Sequence, residues 1–274
     1  MKLIHSIILG LIQGLTEFLP VSSSGHLVLF ENLFGLESAE NSNLFFDVLL
    51  HFGTLIAVVI AFRQDILELL RAFFGMFRRG DPNRERDVAP RRMILLLLVA
   101  TLPLVAVLPF KDYLEGIRAY PWAVGIALIV TAVLLLLSDR FTRGKKTEKS
   151  ASVLDALLVG AMQAVAVTPG ISRSGSTITM GVFRGFTRDF AVRFSFILSL
   201  PAVLGATILE TADAVKAGID WAQMPIYLVG MVVAGVSGFF AIKLVRWIAA
   251  KANFKWFALY CAIAGVTAIV VSIF

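Results

Sequence analysis

The sequence predicts an all-α polytopic membrane protein built from two inverted repeats, with six transmembrane helices and two re-entrant helix-loop-helix hairpins. Three observations carry this. The 274 residues are 58% hydrophobic and only 16% charged, with a mean hydropathy of +0.85, whereas a soluble domain carries about 25% charged residues. Two polar stretches interrupt the apolar sequence and repeat 150 positions apart: Gly10, Gln13, Ser22, Ser24 and Gly25 return as Gly160, Gln163, Ser172, Ser174 and Gly175. Loop charge alternates in sign balance along the chain, as positive-inside topology requires. The whole chain, 1–274, reads as one integral membrane domain, with repeat 1 over about 1–140 and repeat 2 over about 151–274.

The first apolar stretch, 3–35, is broken near its middle by Pro20 and by Ser22, Ser23 and Ser24. Proline ends a helix, and irregular backbone at membrane depth is tolerated only where protein buries it or water lines it. A re-entrant hairpin satisfies both. Segments 44–62, 93–110, 122–138, 191–211, 225–247 and 256–274 each approach the ~20 apolar residues that cross a bilayer. The stretch 153–186 is broken by Pro169 as the first is by Pro20, and predicts the second hairpin.

Between the spans, loop 63–92 holds eight Arg against five acids, loop 139–152 holds five Lys+Arg against Asp139 and Glu148, and turn 243–255 holds four cations and no acid. Loops 111–121 and 212–224 have no such excess. The first three therefore read as cytoplasmic and the last two as external. Three spans per half invert the second half, so the hairpins enter from opposite sides and their tips can meet. The Arg-rich part, 78–92, reads as a solvated topogenic loop.

Net charge is +6 and the pI about 9.7. Topology and anionic lipid account for this balance, so a membrane bilayer and not nucleic acid is the expected partner. The single cysteine, Cys261, excludes an intrachain disulfide or a thiolate metal site. Met1-Lys2-Leu3 leads directly into the first polar motif, so no cleavable signal is expected.

Charged groups at membrane depth are functional candidates by default. In the first motif Gln13 and Glu17 share a helix face, and Ser22, Ser23, Ser24 and His26 follow Pro20. A carboxylate, a hydroxyl and an imidazole in one hairpin are the parts of an activated nucleophile with a general acid. In the second motif Arg173 is the only charge, flanked by Ser172, Ser174 and Thr177. A guanidinium fork, hydroxyls and a helix start make an oxyanion-binding loop.

The runs Gln13-x-x-x-Glu17, Pro20 to His26 and Pro169 to Thr177 resemble the two signature motifs of bacterial undecaprenyl-diphosphatase of the bacitracin-resistance type, over the full length of the chain. The resemblance implies removal of the terminal phosphate from a C55 polyprenyl diphosphate lipid, recycling the carrier for peptidoglycan synthesis and conferring bacitracin resistance. It implies a bacterial inner-membrane, multi-pass location with the active site opening to the extracytoplasmic side. Carried over by residue, Glu17, Ser23, His26 and Arg173 are catalytic, and Gln13, Ser22, Ser24, Ser172, Arg173, Ser174 and Thr177 bind the diphosphate. Either Ser23 or a water is the nucleophile, and His26 either donates a proton or stabilises charge. A divalent cation, Mg or Ca, is compatible as cofactor with Glu17 as its ligand; no organic cofactor is implied, and a homodimer is compatible.

A lipid-phosphate transporter or flippase is the rival reading, since paired broken hairpins also serve carriers. Transport needs the anion loop but no nucleophile and base. A structural membrane subunit is a weaker third reading, disfavoured by the buried charge. Asp47 and His51 are expected at an interface or behind the site, Arg184, Arg188 and Arg193 at the cytoplasmic end of the second hairpin, and Phe45, Phe46 and Phe52 in lipid or core.

Overall fold

A computed structural model describes residues 2–33, 44–77, 88–140, 144–251 and 253–273. Within them the chain runs through α1 (Leu3–Phe18), α2 (Ser23–Leu33), α3 (Leu44–Ala61), α4 (Arg63–Gly75), α5 (Val88–Val107), α6 (Lys111–Glu115), α7 (Pro121–Arg140), α8 (Val153–Val165), α9 (Arg173–Phe183), α10 (Arg188–Ala217), α11 (Met224–Ala250) and α12 (Lys255–Ile273). Among the described residues five helices are long and apolar enough to cross a bilayer, or six when α3 and α4 count as one broken span. The protein is an all-α, multi-pass membrane protein, and α3, α5, α7, α10, α11 and α12 occupy the six expected spans. Of the Arg-rich stretch 78–92, residues 78–87 lie outside the described residues, as do residues 34 and 35 of the first hairpin.

One element departs from expectation. Residues 63–75 form α4, turned 82° from α3, where the sequence predicts loop. Its charges lower its hydropathy, yet Ile66, Leu69 and Ala72 form an inward stripe at helical spacing. The opposite side exposes Leu67, Leu70 and Phe74.

Both broken stretches form helix pairs too short to span. α1 ends at Phe18; Leu19 and Pro20 lead into Ser22, whose φ of 72° reverses the chain before α2. A non-glycine residue in the left-handed region costs about 1 kcal/mol or more. The second hairpin makes its reversal with Gly170, φ 93°, where no such cost arises. There Ser172 caps α9 by accepting the Gly175 N–H at 3.1 Å.

Each hairpin leans on a helix of the other half: α1 on α11 and α8 on α5, while α7 packs on α12. Small residues permit this close approach. A Cβ on Gly10 would lie 2.6 Å from the Gly230 carbonyl oxygen, and one on Gly160 would collide with that of Ala100. These two repeated glycines thus serve helix packing. The core joins the halves through Phe196, edge-on to Phe18 at 5.6 Å and to Phe62 at 5.9 Å.

The arginines expected at the base of the second hairpin all hold ion pairs. Arg184 and Lys146 reach the fully buried Asp155 at 2.8 and 2.7 Å. Burial alone would push the Asp155 carboxyl up, but hydrogen bonds from Lys146, the Ser152 N–H and Arg184 prevail and hold it well below the usual carboxylate range. Arg188 reaches Asp139 and the Ser138 carbonyl, and Arg193 pairs with Asp65 and Glu148. Thr131 on α7 pins the tip: its hydroxyl donates to the Gly170 carbonyl at 3.2 Å and accepts the Ser172 N–H at 3.0 Å.

Candidate active site

The hairpin tips meet. A Cβ on Gly25 would lie 3.2 Å from Gly170 Cα, and Ser174 Oγ donates to the Leu19 carbonyl at 3.2 Å. Across this junction Arg173 Nη2 donates to Glu17 Oε1. The pair is largely withdrawn from solvent, with side-chain exposures of 15% and 8%. Such an environment strengthens each remaining electrostatic contact.

Glu17 is the centre of the site. Its second oxygen, Oε2, accepts the Ser23 hydroxyl at 2.7 Å and the Gln13 amide at 3.2 Å. The helical i, i+4 spacing gives the Gln13 contact, and the reversal at Ser22 swings Ser23 back onto the acid. Ser23 Oγ therefore already points its proton at a carboxylate, the geometry of an activated hydroxyl nucleophile. Arg173 uses one arm of its fork on Glu17; its other terminal nitrogen, Nη1, is buried without a partner among the described residues. A free guanidinium arm beside a base-held hydroxyl is suited to an anionic oxygen.

Two compartments share this junction. The smaller, about 60 Å³, is lined by Glu17, Ser22, Ser23, Ser24, Ser172 and Arg173 with Thr16, Ala166 and Ile171. The larger, about 400 Å³, again meets Glu17, Ser24, Ala166 and Arg173, then runs between α5 and α10 past Leu104, Val105, Leu108, Val203 and Leu209. The first wall is dominated by hydroxyls and charge; the second is mostly apolar.

The remaining sequence candidates are engaged in building the hairpins. Ser22 Oγ accepts the Gly25 N–H, Ser172 caps α9, and Thr177 Oγ1 donates to the Arg173 carbonyl and shares a 2.6 Å hydrogen bond with Ser195. His26 is buried: Nδ1–H donates to the Ser22 carbonyl at 2.7 Å, and in that tautomer Nε2 accepts the Tyr260 hydroxyl at 2.6 Å. The ring stacks on Tyr260 at 5.4 Å. His26 thus braces the turn that presents Ser23.

Sequence reasoning missed Tyr260, which lies 234 residues from its partner. His51, expected at an interface or behind the site, lines the larger cleft with Glu17 and Glu210 and is close enough to interact electrostatically with both. Its Nδ1 donates to the Asp47 carbonyl at 2.9 Å. The i, i+4 pair is visible in sequence, whereas Glu210, 159 residues beyond His51, is brought to it only by the fold. Phe46 is core, while Phe52 stays 39% exposed.

The family described as "Bacitracin resistance protein BacA" matches residues 6–267. The chain is 41% identical to the undecaprenyl-diphosphatase of Carboxydothermus hydrogenoformans over 98% of this chain and 97% of that one. It is 39% identical to that of Halothermothrix orenii over 99% of each. It is also 40% identical to that of Methanosphaera stadtmanae over all of this chain and 99% of the relative.

Proposed function

The chain belongs to the bacitracin resistance protein BacA family, and on that premise we propose that it hydrolyses undecaprenyl diphosphate to undecaprenyl phosphate and phosphate. This returns the lipid carrier to its monophosphate form for peptidoglycan synthesis and underlies resistance to bacitracin. The observation that carries the reading is the 2.7 Å hydrogen bond from Ser23 to Glu17 inside a small polar compartment that opens into an apolar cleft. The terminal phosphate belongs in the polar compartment and the start of the prenyl chain in the cleft.

In the reaction, Glu17 takes the Ser23 proton as Oγ bonds to the terminal phosphorus. The bond from that phosphorus to the bridging oxygen breaks, and its electrons leave with undecaprenyl phosphate. Arg173, through Nη1, binds phosphate oxygens and stabilises the charge that develops. Water then attacks the phosphoserine, phosphate departs, and Ser23 regains its proton. His26 positions the Ser22–Ser23 turn. Ser24 and Ser172, in the compartment wall, offer hydroxyl contacts, and Gln13 steadies Glu17. Ser22, Ser174 and Thr177 shape the two tips and act on the diphosphate through them.

A Mg or Ca ion carried in by the diphosphate would meet Glu17 as its protein ligand and would neutralise phosphate charge. Among the described residues no three His, Cys, Asp or Glu converge on a metal position, so these residues offer no dedicated cage.

The cleft is lined by the later turns of α5, by Lys111, and by α10 as far as Glu210. These adjoin the loops 111–121 and 212–224, external by charge bias, so the site opens to the extracytoplasmic side of a bacterial inner membrane. In a Cys261→Ser background, Ala222→Cys is expected to react with an impermeant thiol reagent added to intact cells and Lys149→Cys is not; the reverse pattern would overturn the assignment of sides. The activity itself is tested by phosphate release from undecaprenyl diphosphate with purified protein in detergent. Binding of that lipid with no phosphate released would favour lipid carriage.

A further inference from the structure

We propose that Gln163 is a substrate-binding residue that contacts the phosphate next to the prenyl chain, and so helps to distinguish a diphosphate from a free phosphate. Gln163 lines the larger cleft together with Glu17, Arg173 and His51. It is 1% exposed, and neither its amide nitrogen nor its amide oxygen has a hydrogen-bond partner among the described residues. Buried polar side chains are nearly always paired, and one left bare is a stability liability that calls for an explanation.

The repeat explains how the amide came free. Gln13, its counterpart 150 positions earlier, donates to Glu17 four residues on. The residue four beyond Gln163 is Val167, which offers no acceptor and lines the same cleft. The other polar groups near the junction are already engaged: Thr101 with the Leu97 carbonyl, His51 Nδ1 with the Asp47 carbonyl, Ser24 with Ser22, and one arm of Arg173 with Glu17. Gln163 keeps both ends of its amide.

Its position selects the ligand atom. Ser23 lines the small compartment and Gln163 does not. A terminal phosphate in reach of Ser23 puts the second phosphate at the shared wall of Glu17, Ser24, Ala166 and Arg173, where the larger cleft begins. There the Gln163 Nε2–H donates to a non-bridging oxygen. A neutral donor binds this phosphate without the full grip of a second cation, which allows the lipid monophosphate to leave after cleavage.

The inference rests on the diphosphatase reading, and the test separates the two. Wild type, Gln163→Leu, Gln163→Met and Gln163→Glu are assayed as purified full-length protein. The measurements are kcat/KM on a polyprenyl diphosphate, competitive inhibition by inorganic phosphate, and melting temperature. The two apolar variants are expected to melt at or above the wild-type temperature, to lose ~10–100-fold in kcat/KM, the scale of one hydrogen bond to a charged group, and to keep the inhibition constant for phosphate. Gln163→Glu sets a carboxylate against phosphate and should lose more. An apolar variant within twofold of wild-type kcat/KM overturns the proposal. So does an equal loss of phosphate affinity, which would assign Gln163 to the terminal phosphate, or a loss tracking a lower melting temperature. If the Gln163→Leu variant does not fold, Gln163→Met and Gln163→Glu decide. Absence of phosphate release by wild type would instead remove the activity reading.

Discussion

In the hairpin of α1 and α2 the polar side chains converge: Gln13 and Ser23 donate to Glu17, and His26 braces the turn between them. In the hairpin of α8 and α9 Ser172 and Thr177 bond their own backbone, Ser174 reaches the Leu19 carbonyl of the first hairpin, and Arg173 crosses to the acid. At matching positions Glu17 corresponds to Val167, Ser23 to Arg173 and His26 to Ser176. Two hairpins whose sequences repeat 150 positions apart therefore carry two different chemistries, set by a few substitutions at matching positions. One tip holds the hydroxyl and the acid, which the proposed mechanism uses as nucleophile and base, the other holds the cation, and the compartment needs both.

The sharpest way to break this division is Ser23→Ala. Turnover should fall by ~10³-fold or more while affinity for the lipid diphosphate holds, because the lost group acts only as the bond breaks. Turnover within a few-fold of wild type would make an activated water the nucleophile. Arg173→Lys comes next. A point charge cannot hold Glu17 and a phosphate oxygen at once, so kcat/KM should drop by ~10²-fold, the scale of one transition-state donor; near-normal kinetics would show that the fork geometry is irrelevant.

Smaller effects sharpen the comparison. Tyr260→Phe removes the hydroxyl that His26 Nε2 accepts, and turnover should fall about tenfold, the scale of one buried hydrogen bond, with diphosphate affinity and melting temperature little changed. A loss of affinity as large as the loss of turnover would mean that His26 holds substrate and does not brace Ser23. Smallest is Thr131→Val, which takes away both hydrogen bonds that pin the second tip. We expect a loss of about 1–3 kcal/mol, read as a lower melting temperature, with a raised KM and nearly unchanged kcat. An unchanged melting temperature would show that the tip is held by packing alone.

The sequence by itself determined the membrane class, both hairpins, the spans and the acid, hydroxyl and guanidinium at the tips. Each leaves a local signal: an apolar run of spanning length, a proline inside one, or a charge where charge is expensive. Only the tertiary structure decided the rest. The Glu17–Arg173 contact joins residues 156 apart, and His26 meets Tyr260 across 234; no periodicity records such a meeting. In sequence Ser174 beside Arg173 reads equally as a phosphate contact or as hairpin packing, and how the chain turns at Gly170 and Ser172 sets which groups each hydroxyl meets. The helix α4 was concealed because its charges masked an inward stripe that only packing against α5 makes visible. The same holds for Gln163: its motif was legible, but its unpartnered amide follows from what surrounds it in space.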